Sequence, residues 1–282
     1  ARKRESAPGF RMKRVLSAAV FLPVFWIIVK KFRPGIYEIL IMVAALLALL
    51  ELYRLASARG HRCHRLLGAV VTVLIMASFA FAAVDIRYAL AFGLIALPLA
   101  SLWRGGDWGP ALADIGTTFF VATFVGVLFG YLIDLRTMND LPKGDETGAD
   151  LVFLLFFVVW SSDTAAYYVG TSFGRRPLAP RVSPKKTVEG AVGGVLGALA
   201  AAFVARAWFM HRLSVGDCLF LGLSLGAIGI LGDLVESMLK RGAGMKDSAS
   251  LVPGHGGILD RMDSLLYAGP VLYYYYLFAM RA

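Results

Sequence analysis

The sequence predicts an all-α, polytopic membrane protein of about nine transmembrane helices. Three observations carry this expectation. Of the 282 residues, 58% are hydrophobic, against roughly 45–50% in a soluble domain. Charged residues make up only 17% and are bunched between apolar runs. Those runs are apolar on every face, whereas the strands of a membrane barrel would alternate with period two.

A spanning helix needs about 20 mostly apolar residues. Nine stretches qualify, at about 15–29, 36–53, 66–84, 88–103, 112–133, 150–170, 190–210, 216–235 and 264–280. Leu66–Val84 and Ile115–Ile133 hold no charged residue and are the surest. The first and fourth are short and compatible with tilt or re-entry. The last ends in Tyr273, Tyr274, Tyr275, Tyr276, Leu277 and Phe278, aromatics suited to a membrane interface. The basic start, Arg2 to Arg14, runs into an apolar stretch without a clear small-residue cleavage site, so no cleaved leader is expected.

Orientation follows from Lys and Arg in the loops. With the N-terminus inside, inside loops hold 20 basic residues and outside loops 8. The long basic loops 171–189 and 236–263 are separated by two spans and therefore share a side, expected to be the cytoplasm. The net charge of +10 reads as loop charge facing anionic lipid, not nucleic acid. Cys63 and Cys218 are far apart and match no metal spacing, which leaves them as small apolar fillers.

Ionisable residues at membrane depth are costly and mark function. On the eighth span Asp233, Glu236, Ser237 and Lys240 follow i, i+3, i+4, i+7 spacing and share one helical face; a helix end emerging into water would look similar. Lys246-Asp247 and the run Pro253-Gly254-His255-Gly256-Gly257 come next, then Asp260, Arg261 and Asp263. Glycines around a histidine let backbone approach a ligand closely, although His255 could equally be a packing residue. Two carboxylates at i, i+3 suit a hard divalent cation such as Mg²⁺, which is often held by one or two carboxylates plus substrate phosphates. The loop 174–190 carries Arg175, Arg176, Arg181, Lys185 and Lys186, bases suited to a polyphosphate or lipid phosphate or simply to a positive-inside loop. Ser183 and Thr187 are natural caps there, and glycines 190, 193, 194 and 197 permit close helix packing. Asp163, inside the sixth span, is either a third metal or substrate contact or a hydrogen-bond hub. Glu38, Glu51 and Asp114 are lone acids with no assigned role.

The stretch 237–264, SMLKRGAGMKDSASLVPGHGGILDRMDS, closely resembles the signature of the phosphatidate cytidylyltransferase (CDP-diacylglycerol synthase) family. Its elements are S-x-x-K-R, K-D, P-G-H-G-G and D-R-x-D. Ser183, Pro184, Lys186, Glu189 and Gly190 match a second family element, and Asp163, Ala166 and Tyr167 a third. The resemblance covers about residues 150–282; the first 150 share only apolar spans.

The resemblance implies a nucleotidyltransferase that moves CMP from CTP to phosphatidic acid, giving CDP-diacylglycerol and pyrophosphate with Mg²⁺, in phospholipid biosynthesis. It implies that Asp233 and Asp260 match the family's metal-binding acids; Glu236 and Asp263 stand beside them, leaving room for a second cation. Lys240, Arg241, Lys246 and Arg261 would offset phosphate charge, while Ser183, Lys185, Lys186, Ser237, Asp247 and Asp163 complete the expected substrate contacts. Gly254, Gly256 and Gly257, beside His255, would turn backbone N–H groups toward phosphate. Residues 1–149 then form a scaffold with lipid access and 150–282 the catalytic region. The expected partners are CTP, phosphatidic acid and membrane lipid, with a homodimer compatible and nucleic acid excluded. A CTP-dependent lipid kinase and an ion-coupled transporter are the rival activities; the second lacks the internal repeats common in transporters.

Overall fold

The computed structural model describes residues 26–31, 34–105, 108–137, 147–245 and 257–280. After a helical stretch at 26–31 come α1 (Pro34–Ala58), α2 (Arg65–Ala80), α3 (Ile86–Arg104), α4 (Ala111–Thr137) and α5 (Thr147–Phe173). A hairpin of β1 (Pro177–Ala179) and β2 (Ser183–Thr187) leads into α6 (Val188–Trp208), α7 (Val215–Gly242) and α8 (Leu259–Tyr275), which continues as a π-helical turn, Tyr276–Met280.

Among the described residues six helices are long and apolar enough to cross a membrane: α1, α3, α4, α5, α6 and α7. The expected count of nine is therefore approximate. The charge-free run 66–84 forms only the 16-residue α2, because the chain turns extended at Phe81; at 1.5 Å per residue that is about 24 Å. The ninth run forms the 17-residue α8, whose first turns carry Asp260, Arg261 and Asp263. The predicted first span lies mostly outside the described residues.

The hairpin corrects the reading of 171–189 as plain loop. Pro177, Pro180 and Pro184 disfavour helix here, and β1 pairs antiparallel with β2, Ala179 opposite Ser183. Ser183 is thus a strand residue, not a cap. Thr187 does cap α6, its hydroxyl accepting the Gly190 N–H at 3.1 Å. Ser214 and Asp217 form a reciprocal capping box on α7.

Small residues set the helix spacing. A Cβ on Gly197 of α6 would stand 2.4 Å from that of Ala165 on α5, so these two helices approach as only small residues allow. Helices α5–α8 pack in sequence, α1, α2 and α4 pack together, and α4 joins the groups through α5 and α8.

Loop contacts sort to two sides. On one, Arg59 Nε donates to the Gly242 carbonyl and Arg241 Nε to the Val182 carbonyl at 3.3 Å. On the other, Lys30 pairs with Asp150 and Tyr275 donates to Asp217 at 2.7 Å. The ends of α1, α5 and α7 and the start of α8 accordingly share one side.

Candidate functional site

Helix α7 carries Asp233 nine residues before its end at Gly242, roughly 14 Å below the helix terminus. Helix α5 carries Asp163 ten residues before Phe173, at about the same depth by the same rise. Helix α8 begins deep between them. A Cβ on Gly232 would stand 2.7 Å from the Asp263 carbonyl oxygen, so the bare backbone of α7 lets α8 bring Asp263 against Asp233.

Carboxylate oxygens of Asp233, Glu236 and Asp263 lie within 4.8 Å of one another. Glu236 and Asp263 are buried. Asp163 joins the group electrostatically, since the charges of Asp233 and Lys186 act on both Asp163 and Asp263. Like charges so close at membrane depth repel strongly unless cations answer them.

Two lysines answer part of that charge. Lys186 reaches from β2 to Asp233. Because side chains alternate along a strand, its neighbour Lys185 points the other way and is exposed. Lys240 lies between Glu236, at 2.5 Å, and Asp260, at 2.7 Å. Five carboxylates thus meet two lysines here. Neither Asp163 nor Asp263 has an ion pair among the described residues.

These observations test whether a metal ion fits. Glu236 Oε1 is buried and has no hydrogen-bond partner among the described residues, which is costly unless a ligand completes it. An oxygen-only donor set of three carboxylates suits a hard divalent cation. Asp233, Glu236 and Asp263 could therefore hold a metal ion.

The expected site residues fall in distinct places. Asp260 stands beside Glu236, with Lys240 bridging the two carboxylates, and accepts the Gly257 N–H at 3.4 Å. Ser237 is buried on α7. Arg241 spans two backbone carbonyls, Val182 in the hairpin turn and Met245 at 3.0 Å, so it ties the hairpin to the end of α7. Arg261 is exposed on the first turn of α8, and Ser183 and Lys185 lie on β2. Lys246, Asp247, Gly254, His255 and Gly256 lie outside the described residues.

One residue next to the site went unassigned in the sequence reading. Glu51 of α1 is fully buried and accepts the N–H groups of Ile258 at 2.9 Å and Leu259 at 3.1 Å. The signal was available: an acid inside the apolar run MVAALLALLELY is an intramembrane carboxylate and needs a partner.

Comparison with known proteins places the chain in a family. The profile of the cytidylyltransferase family matches residues 12–279. The chain is 36% identical over 266 residues to the phosphatidate cytidylyltransferase of Bacillus subtilis, covering 92% of this chain and 94% of that protein. It is 31% identical over 263 residues to the phosphatidate cytidylyltransferase of Staphylococcus epidermidis, with coverage of 92% and 94%. It is also 46% identical over 138 residues to that of Haemophilus influenzae, 47% of this chain and 48% of that protein. A match along nearly the whole length, onto a bundle that gathers acids and lysines at membrane depth, shows that this chain belongs to the cytidylyltransferase family and is a membrane-embedded nucleotidyltransferase.

Proposed function

We propose that the chain transfers CMP from CTP to phosphatidate, releasing pyrophosphate and leaving CDP-diacylglycerol in the membrane. The observation that carries the reading is the group of Asp233, Glu236 and Asp263, flanked by Lys186 and Lys240. A phosphatidate oxygen attacks the α-phosphorus of CTP, and the bond from that phosphorus to the β-phosphate oxygen breaks. The attacking oxygen is already ionised, so no general base is required. The barrier is repulsion between two anions, and positioning with charge neutralisation does most of the work in such transfers.

Asp233, Glu236 and Asp263 would hold Mg²⁺, which when bound offsets phosphate charge. Lys186 holds Asp233 and Lys240 holds Glu236 in place, and both present ammonium groups beside the cluster. The exposed bases Arg175, Arg176, Arg181 and Lys185 lie on or beside the hairpin whose Lys186 meets Asp233, where they would draw in anionic substrates. The diacyl tails stay in the bilayer, so the site opens sideways to lipid. Helices α1–α4 serve as scaffold. Pyrophosphate release from CTP in detergent tests the reading. It should require both phosphatidate and a divalent cation; release without phosphatidate would sink it.

We place the site on the cytoplasmic face, on the basis of the 20 to 8 bias in loop charge. Both native cysteines are free and buried, so labelling background is low. A cysteine replacing exposed Arg212 should react with an impermeant maleimide on intact cells. One replacing exposed Ala58 should react only after permeabilisation. The reverse pattern would invert the orientation.

Arg241→Lys should lower kcat/KM roughly 10-fold, about 1.4 kcal/mol. The charge survives, but an ammonium is a point donor and cannot span the Val182 and Met245 carbonyls as the guanidinium fork does. Initial rates per folded molecule check this; full activity would remove Arg241 from the site.

A further inference from the structure

Helix α8 starts at membrane depth without a cap of its own. Its N-cap residue, Ile258, makes no side-chain capping bond. The first N–H groups of a helix have no partner within it, and inside a bilayer no water replaces one. The partner comes from 207 residues away in sequence: the two oxygens of Glu51 accept from Ile258 and Leu259, at 2.9 and 3.1 Å. Glu51 is 0% exposed, and a buried carboxylate persists only when satisfied.

A cap supplied by a neighbouring residue would orient the helix only against its own chain. Glu51 instead fixes the start of α8 against α1, and a two-oxygen contact to successive N–H groups restrains rotation as well as translation. The next acids along α8 are Asp260 and Asp263, one turn apart. Arg59, in the turn that follows α1, also holds the end of α7 through the Gly242 carbonyl. Both helices whose acids converge are thereby anchored to one helix of the N-terminal half and the turn after it.

We propose that Glu51 is a positioning residue for the acid cluster: by capping α8 it sets where Asp263 stands relative to Asp233 and Glu236, and where Asp260 meets Lys240. This rests on reading that cluster as a cation seat. Glu51→Gln keeps the volume but presents one acceptor oxygen and turns an NH₂ group toward an N–H donor. Glu51→Asp keeps the charge on a side chain one methylene shorter.

The test is Mn²⁺ binding to the full chain in detergent without substrates, read by electron paramagnetic resonance, beside initial rates of CMP transfer per folded molecule. Residues behind metal ligands typically alter affinity or activity 10–100-fold, so Glu51→Gln should weaken Mn²⁺ binding and lower the rate by roughly 10-fold or more. Glu51→Asp should fall between it and the wild type. A merely structural role would reduce the yield of folded protein without moving the Mn²⁺ affinity of the folded fraction. Wild-type affinity and rate in folded Glu51→Gln overturn the proposal. If that variant does not fold, wild-type values in Glu51→Asp overturn it instead. A wild-type chain that transfers no CMP, yet loses Mn²⁺ affinity in Glu51→Gln, defeats the functional reading and leaves the positioning role standing. No Mn²⁺ binding by the wild type removes the seat and the proposal with it.

Discussion

Asp233→Asn lowers kcat/KM by about 100-fold or more, and Asp263→Asn does the same. Each change keeps volume and removes one charge from a group whose oxygens lie within 4.8 Å of one another. A 100-fold loss corresponds to about 2.7 kcal/mol of transition-state stabilisation. Two features separate this from misfolding. Asp233 is paired with Lys186, so its loss frees a lysine, whereas Asp263 has no ion pair among the described residues and its neutralisation should leave the fold intact or firmer. Thermal unfolding in detergent should therefore show Asp263→Asn at least as stable as the wild type while its rate collapses. Near wild-type rates at saturating Mg²⁺ for either variant would refute its role.

The second large effect concerns Lys240. Its ammonium serves Glu236 at 2.5 Å and Asp260 at 2.7 Å, and only 12% of its side chain is exposed. Lys240→Met preserves the length of the side chain and leaves two carboxylates facing each other without a cation. Removing one partner of a buried ion pair typically costs about 3–5 kcal/mol. The expected outcome is a clear drop in thermal midpoint together with loss of activity. Lys240→Arg keeps the charge and should recover most of the stability but not all of the rate, because a planar fork cannot take the place of a point donor between two converging oxygens. Equal stability of Lys240→Met and wild type would show the lysine to be dispensable for the pair.

Sequence pattern revealed the helices more fully than the contacts between them. Apolar runs locate α1 through α8 because bilayer thickness forces long uninterrupted segments. Pattern also placed Asp233, Glu236 and Lys240 on one face of α7, since 3.6-residue periodicity is local. It could not show that Asp260 and Asp263, at i, i+3, turn to different partners. That depends on where α8 begins: Asp260 falls in the first turn and folds back toward the Gly257 N–H and Lys240. Nor could it show Lys186 meeting Asp233 or Glu51 meeting Ile258, which join segments remote in sequence. The hairpin was hidden because a basic, proline-rich connector between spans reads as loop whether or not its halves pair. The 66–84 run overstated α2 because apolar composition does not mark the extended turn at Phe81.

The most direct measurement follows both ends of the triphosphate. CTP labelled in turn at the α- and γ-phosphate is supplied with phosphatidate and Mg²⁺ to the wild type and to Asp263→Asn in detergent, and label is partitioned between lipid and water. Cytidylyl transfer at the acid cluster predicts α-label in the lipid fraction and γ-label in aqueous pyrophosphate, both lost together in Asp263→Asn. Label from the γ-phosphate in the lipid fraction, or α-label transfer undiminished in the variant, would contradict it.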